Sequence, residues 1–219
     1  MLTAQLINKN IPQLKLQDSV AKALQLINDY RITHLPVVSD TVFLGLISEE
    51  DLLDAEDEKL AIEVLQEHFI NAPVPGQVHF LNAVNNSIQY DTTVVPVVNN
   101  GTYQGAITST DLLKTLGNLA GANEIGGLIV LTMERADFAI SEISRIVESN
   151  DCTILHLNTT VNDATGILTV TLHLSKREIA AIIAAFERYD YSVDYYFGNE
   201  KFDNDIDTNY HHLMNYLGI

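Results

Sequence analysis

The sequence predicts an α+β protein, a duplicated unit followed by a separate strand-helix domain, on three observations. Sliding the chain against itself by 60 residues aligns Tyr30 with Tyr90, Pro36-Val37-Val38 with Pro96-Val97-Val98, Gly45 with Gly105 and Asp51-Leu52-Leu53 with Asp111-Leu112-Leu113, with no gap. In each copy a helical segment precedes two short β-rich runs joined by a turn. From Ile125 the repeat stops, and the apolar pattern becomes strand, helix, strand, strand, helix, strand.

Taken in order, Ser19 precedes apolar Val20, Ala23, Leu24 and Ile27 on one helical face, and Leu81 to Tyr90 is the more polar equivalent. Leu35 to Val38 and Val42 to Ile47 are strands split by Ser39-Asp40-Thr41. Val94 to Val98 and Thr102 to Ile107 are split by Asn99-Asn100-Gly101. After each hairpin, Ser48-Glu49-Glu50-Asp51 and Thr108-Ser109-Thr110-Asp111 place a hydroxyl three residues before an acid, the form of a helix N-terminus. Residues 54–72 read as an acidic helical connector ended by Pro73-Val74-Pro75-Gly76. The expected boundaries are 1–60 and 61–120 for the repeats, 125–198 for the third domain and 199–219 for an acidic tail.

In the third domain Leu128 to Met133 reads as a strand, and Asp137 caps a helix burying Ile140, Ile143, Ile146 and Val147. Thr153 to Asn158 and Ile167 to Leu174 are strands, the second alternating apolar and polar residues. Ser175-Lys176-Arg177-Glu178 has the capping-box form before Ile179, Ile182, Ile183 and Phe186, and Ser192 to Phe197 is the last strand. The order βαββαβ is ferredoxin-like. In the tail, Tyr210, Leu213, Met214 and Leu217 fall on one side of a short helix.

Composition narrows the function. The 219 residues carry 12 Lys plus Arg and 29 Asp plus Glu, a net charge of −17, with neither half basic. Nucleic acid and anionic membrane surfaces are disfavoured partners, because both require clustered cations. The single Cys152 forms no internal disulfide, and Met1 to Gln5 lacks a basic-then-apolar leader, so the expected address is the cytoplasm. No phosphate loop, dinucleotide fingerprint or Cys-x-x-Cys occurs, and adjacent His211 and His212 point about 100° apart on a helix.

The Pro-Val-Val strand followed by Gly45…Ser48…Asp51, repeated as Gly105…Thr108…Asp111, resembles a tandem pair of CBS domains. Residues 125–198 after such a pair resemble an ACT domain. The whole order is similar to the acetoin-utilisation regulatory family and related stand-alone modules. The resemblance implies a non-catalytic regulatory module that senses an adenosyl ligand between the repeats. In it, Asp51 and Asp111 accept ribose hydroxyls and Ser48 and Thr108 assist; a carboxylate suits that task because its bonds are charge-assisted. The alternative is that Ser48/Asp51 and Thr108/Asp111 only cap helices. Arg31 and His34 in repeat 1, with Lys114 in repeat 2, are the candidate phosphate partners, against the alternative that Arg31 and His34 are solvated residues at a helix end. AMP, a magnesium-bound nucleotide or S-adenosylmethionine are the expected ligands.

The turn Glu134-Arg135-Ala136-Asp137 has no Gly where the usual ACT amino-acid loop has one. The third domain is therefore expected to pair sheets in a homodimer that acts on a regulated protein. A ligand-free dimeric scaffold is the competing reading, and an enzyme using a metal in an acidic cleft is a third.

Overall fold

In the computed structural model, which describes residues 1–198, Ser19 is the extended N-cap residue and its hydroxyl accepts from Lys22 N–H at 3.2 Å. That bond satisfies one orphan donor and starts α1, Val20–Tyr30, whose buried face is Val20, Ala23 and Ile27. The helix ends at Arg31 in the left-handed region, with φ 53°. Strands β1, His34–Ser39, and β2, Val42–Ser48, follow as an antiparallel hairpin. The short helix α2, Glu49–Leu53, completes the copy.

The second copy repeats this plan in α3 (Leu81–Gln89), β3 (Val94–Asn99), β4 (Thr102–Thr108) and α4 (Ser109–Leu119). The correspondence extends below the level of elements. Both hairpins slip register at the same place, between Val37 and Val38 and between Val97 and Val98. Asp91 matches Arg31 and Asn100 matches Asp40 in positive φ. The hairpins meet through β2 and β4, at Val42 and Thr102, in one sheet of order β1-β2-β4-β3. Leu35, Val37, Leu46 and Leu52 are buried under repeat 1, and Val95, Val97, Ile107 and Leu112 under repeat 2.

The connector departs from the expected helix. Residues 54–61 are irregular, and Ile62–His68 is a 3-10 segment kinked at Leu65. The cause is tertiary hydrogen bonding. Val20 N–H and Ala21 N–H donate to the carbonyls of Leu60 and Glu58, and Ile62 N–H and Glu63 N–H to those of Asp18 and Leu16. A continuous helix would consume these groups internally. Thr3–Leu6 is the shorter 3-10 counterpart, bonded to the other copy through Thr3 N–H to Val78 O and Ala4 N–H to Gly76 O.

The chain divides after Leu116 into two compact units. In the second, β5 (Gly127–Met133), α5 (Ile140–Glu148), β6 (Ile154–Val161), β7 (Leu168–Leu174), α6 (Ala180–Arg188) and β8 (Ser192–Phe197) form an antiparallel sheet of order β6-β7-β5-β8. That order is the ferredoxin-like one, with both helices on the face bearing Ile129, Leu131, Val170 and Leu172. Two expected caps are not used. Asp137 ends a 3-10 turn and α5 starts after Ala139, while Ser175 Oγ accepts from Thr153 N–H (3.1 Å) and α6 starts after buried Ile179. Ile140, expected in the core, is exposed, whereas Ile143, Ile146 and Val147 are buried. The expected tail helix lies outside the described residues.

Candidate functional site

Each repeat's glycine admits a crossing segment. A Cβ on Gly105, at φ 136°, would lie 2.4 Å from Ile7 Cγ2, and one on Gly45 would lie 2.6 Å from Phe69 Cβ. Backbone bonds fix both crossings: Asn8 N–H donates to Ala106 O at 2.8 Å, and Leu46 and Ile70 exchange bonds of 2.9 Å each way. Any side chain here would hold the crossing segment off the strand.

The N-terminal crossing creates a cavity. Gln5 to Asn10 line one side, Asp111, Lys114 and Thr115 line another, and the volume is about 560 Å³. This falls within the size range of small-molecule sites. Asp111 is anchored at the start of α4, its N–H donating to Thr108 Oγ1 at 3.1 Å while Thr108 Oγ1 donates to Asp111 Oδ2 at 2.7 Å. Its other carboxylate oxygen has no hydrogen-bond partner among the described residues, and neither Lys9 nor Lys114 is within 4.0 Å of a carboxylate there. The cavity therefore joins an acceptor for hydroxyl groups with two cations.

Repeat 1 is built on the same plan and finished differently. Ser48 Oγ accepts from Asp51 N–H at 3.1 Å and donates to Asp51 Oδ2 in a short hydrogen bond. Asp51 Oδ1, however, lies 3.2 Å from His68 Nδ1. Both oxygens of Asp51 are engaged.

The remaining sequence candidates separate. Arg31 is exposed as the left-handed cap of α1, and neither it nor His34 lines the Asp111 cavity. His34 is buried where the copies meet. Its Nδ1 accepts from Thr93 N–H at 3.4 Å and lies 3.0 Å from Thr33 Oγ1, while Thr33 N–H donates to Thr93 Oγ1 at 3.0 Å. Of these cations, Lys114 is the one that lines the Asp111 cavity. Lys9 and the 5–10 segment carry no signal in the sequence because they precede the repeated helix and hairpin and reach repeat 2 only through the crossing.

Burial lowers the His34 pKa below 6.5, and Asp91 and Asp51 only partly oppose this. Below the unfolded value the unfolded chain takes up a proton that the folded one resists, so this stability is present above pH 6.5 and is lost as pH falls toward the folded value. His34→Val, which installs the side chain of Val94, is expected to reduce the acid-side fall in urea midpoint. Identical slopes for parent and variant would refute this.

The CBS domain family model matches residues 4–58. Inosine-5'-monophosphate dehydrogenase from Staphylococcus haemolyticus is 31% identical over 104 residues, 45% of this chain and 21% of that enzyme. The chain thus spans about a fifth of the length of the curated relatives it matches. Among solved structures it is similar to a CBS domain pair/ACT domain protein from Thermotoga maritima (20% identity, TM-score 0.49, covering 54% of this chain and 98% of that one). It is also similar to a putative acetoin utilization protein from Vibrio cholerae (20% identity, TM-score 0.49, 56% and 95%) and to CBSX2 in complex with AMP (20% identity, TM-score 0.45, 54% and 97%). The CBS domain model thus matches the first of two copies that share element order and strand register, and a ferredoxin-like domain follows them.

Among the described residues no helix is long and apolar enough to cross a membrane. None of their His, Cys, Asp and Glu side chains form a group of three or more that could hold a metal ion.

Proposed function

We propose that the chain is a non-catalytic regulatory module that senses an adenosyl ligand, and that the cavity at Asp111 is its site. The observation that carries this reading is one carboxylate oxygen without a hydrogen-bond partner among the described residues, in a cavity also lined by two lysines that form no ion pair with them, in a chain of net charge −17. The ribose diol donates to Asp111 in charge-assisted bonds, and Lys9 and Lys114 offset a phosphate. Two cations suit a monophosphate; a longer phosphate chain needs magnesium in so acidic a chain. The ferredoxin-like domain is read as ACT-like, pairing sheets in a cytoplasmic homodimer that presents the ligand state to a regulated protein.

AMP titration tests the site. At 100 times its dissociation constant AMP is expected to stabilise the chain by about 2.7 kcal/mol. Asp111→Ala is expected to weaken AMP by about tenfold or more, since a hydrogen bond to a charged group contributes about 1.5–3 kcal/mol. An equal shift in parent and variant would overturn the ribose assignment. The bonds from Ser48 and Thr108 to the two acids favour a second reading, a ligand-free scaffold in which both pairs only cap helices. That reading requires no shift with adenosine, AMP, magnesium nucleotides or S-adenosylmethionine.

A further inference from the structure

The seam between the two copies is nearly symmetric, and one residue breaks the pattern. Thr33 and Thr93 are twins across it, with hydroxyls 3.0 Å apart. Each carbonyl accepts the first N–H of a helix, Glu49 N–H of α2 on Thr33 O at 2.8 Å and Ser109 N–H of α4 on Thr93 O at 2.9 Å. Thr33 N–H donates to Thr93 Oγ1 at 3.0 Å, and symmetry would return Thr93 N–H to Thr33 Oγ1. It goes instead to His34 Nδ1 at 3.4 Å, which also lies 3.0 Å from Thr33 Oγ1. The twin of His34 is Val94, so a single titratable ring interrupts the pairing.

The protonation state of that ring decides whether the bond exists. Nδ1 accepts from Thr93 N–H only through its lone pair, which puts the neutral ring's proton on Nε2. A second proton turns Nδ1 into a donor. Thr33 Oγ1 and Thr93 Oγ1, at 3.0 and 3.4 Å, can accept from it, but Thr93 N–H then faces another N–H and has no other acceptor among the described residues. The ring is 8% exposed. The charged groups acting on it are Asp91, in the turn between α3 and β3, and Asp51, in α2, which itself lies 3.2 Å from His68. Desolvation outweighs both carboxylates and keeps the ring neutral to a lower pH than free imidazole.

Thr93 carries the change toward the cavity. Its carbonyl holds the first residue of α4, and Asp111, Lys114 and Thr115, which line the cavity, all lie on that helix. His34 does not line the cavity, so it acts through Thr93 rather than on a ligand. We infer that His34 is a proton-operated coupler: in mild acid it repels Thr93 N–H, displaces the start of α4 and weakens the binding of an anionic ligand beside Asp111. By linkage, the bound ligand opposes protonation of His34 to the same extent. The ligand half of this inference rests on the Asp111 reading; the displacement of α4 does not.

Two variants separate the ring's charge from its shape. His34→Asn keeps an acceptor near the position of Nδ1 that does not titrate, and His34→Val installs the residue of the twin; circular dichroism confirms both folds. In amide-resolved NMR of the ligand-free chain from about pH 8 to about pH 5, the Thr93 and Ser109 N–H signals are expected to follow the midpoint of the His34 ring and to lose that step in both variants. By calorimetry over the same range, AMP is expected to weaken at least about fivefold more in the parent than in His34→Asn, the lower end of ordinary coupling between sites. The titration of AMP's own phosphate is common to both chains and cancels. Thr93 and Ser109 signals that ignore the His34 midpoint, an equal pH dependence of AMP binding in parent and His34→Asn, or AMP that tightens in the parent as pH falls would overturn the inference. A parent that binds no AMP anywhere in the range overturns the Asp111 reading instead, and the NMR signals then decide the coupler on their own.

Discussion

Phe186→Ala is expected to destabilise the second unit by about 3–5 kcal/mol, the usual cost of emptying a fully buried aromatic site. Phe186 is 0% exposed and packs edge-on against Tyr191, with ring centroids 5.6 Å apart. Its neighbours come from the sheet and both helices, so no single element can move in to fill the void. A domain holds only about 5–15 kcal/mol in total, so the loss removes a large part of it. Hydrogen exchange should show protection falling across β5 and β7 and in both helices. A loss below about 1 kcal/mol would mean that the site collapses and that Phe186 is not central to this core.

Gly105→Val is the second large effect, and it acts on both fold and site. The residue sits at φ 136°, a region that side chains rarely adopt, and its new Cβ would meet Ile7 Cγ2 at 2.4 Å. Backbone strain and overpacking each cost about 1–3 kcal/mol. The N-terminal segment cannot retreat without breaking the bond from Asn8 N–H to Ala106 O. Because Ile7 and Asn8 line the cavity, AMP binding should fall with stability. Gly101→Ala is the control: Gly101 has φ 79° but nothing within 4 Å of its Cβ, so about 1–2 kcal/mol of left-handed strain is expected with unchanged AMP affinity. Equal effects of the two substitutions on AMP would separate the crossing from the cavity.

The hairpins were readable because their information is local. Short β-rich runs bounded by Asp40 or by Asn100-Gly101 specify a strand pair and its turn within about fifteen residues. The repeat doubled that signal, and both hairpins form with matching registers. Expected caps failed where a different partner was available. Ser175 bonds Thr153 across the strands instead of starting a helix, and Asp137 is absorbed in a 3-10 turn. The connector failed for the same reason, because its backbone groups find partners in residues 16–21, far away in sequence.

Asp51 and Asp111 stand out in the sequence by their spacing after Gly, but nothing in that spacing distinguishes them. The difference is made by Lys9 and His68, neither of which belongs to the repeated motif.

Chain order alone therefore determined the duplicated α+β unit, the ferredoxin-like succession of strands and helices, and the pair of acids at equivalent helix starts. Tertiary structure decided which acid faces an open cavity and which meets a histidine. Periodicity and capping act over a few residues, whereas the two crossing segments are placed by hydrogen bonds between residues far apart in the chain, and they bring different side chains to otherwise matching ends.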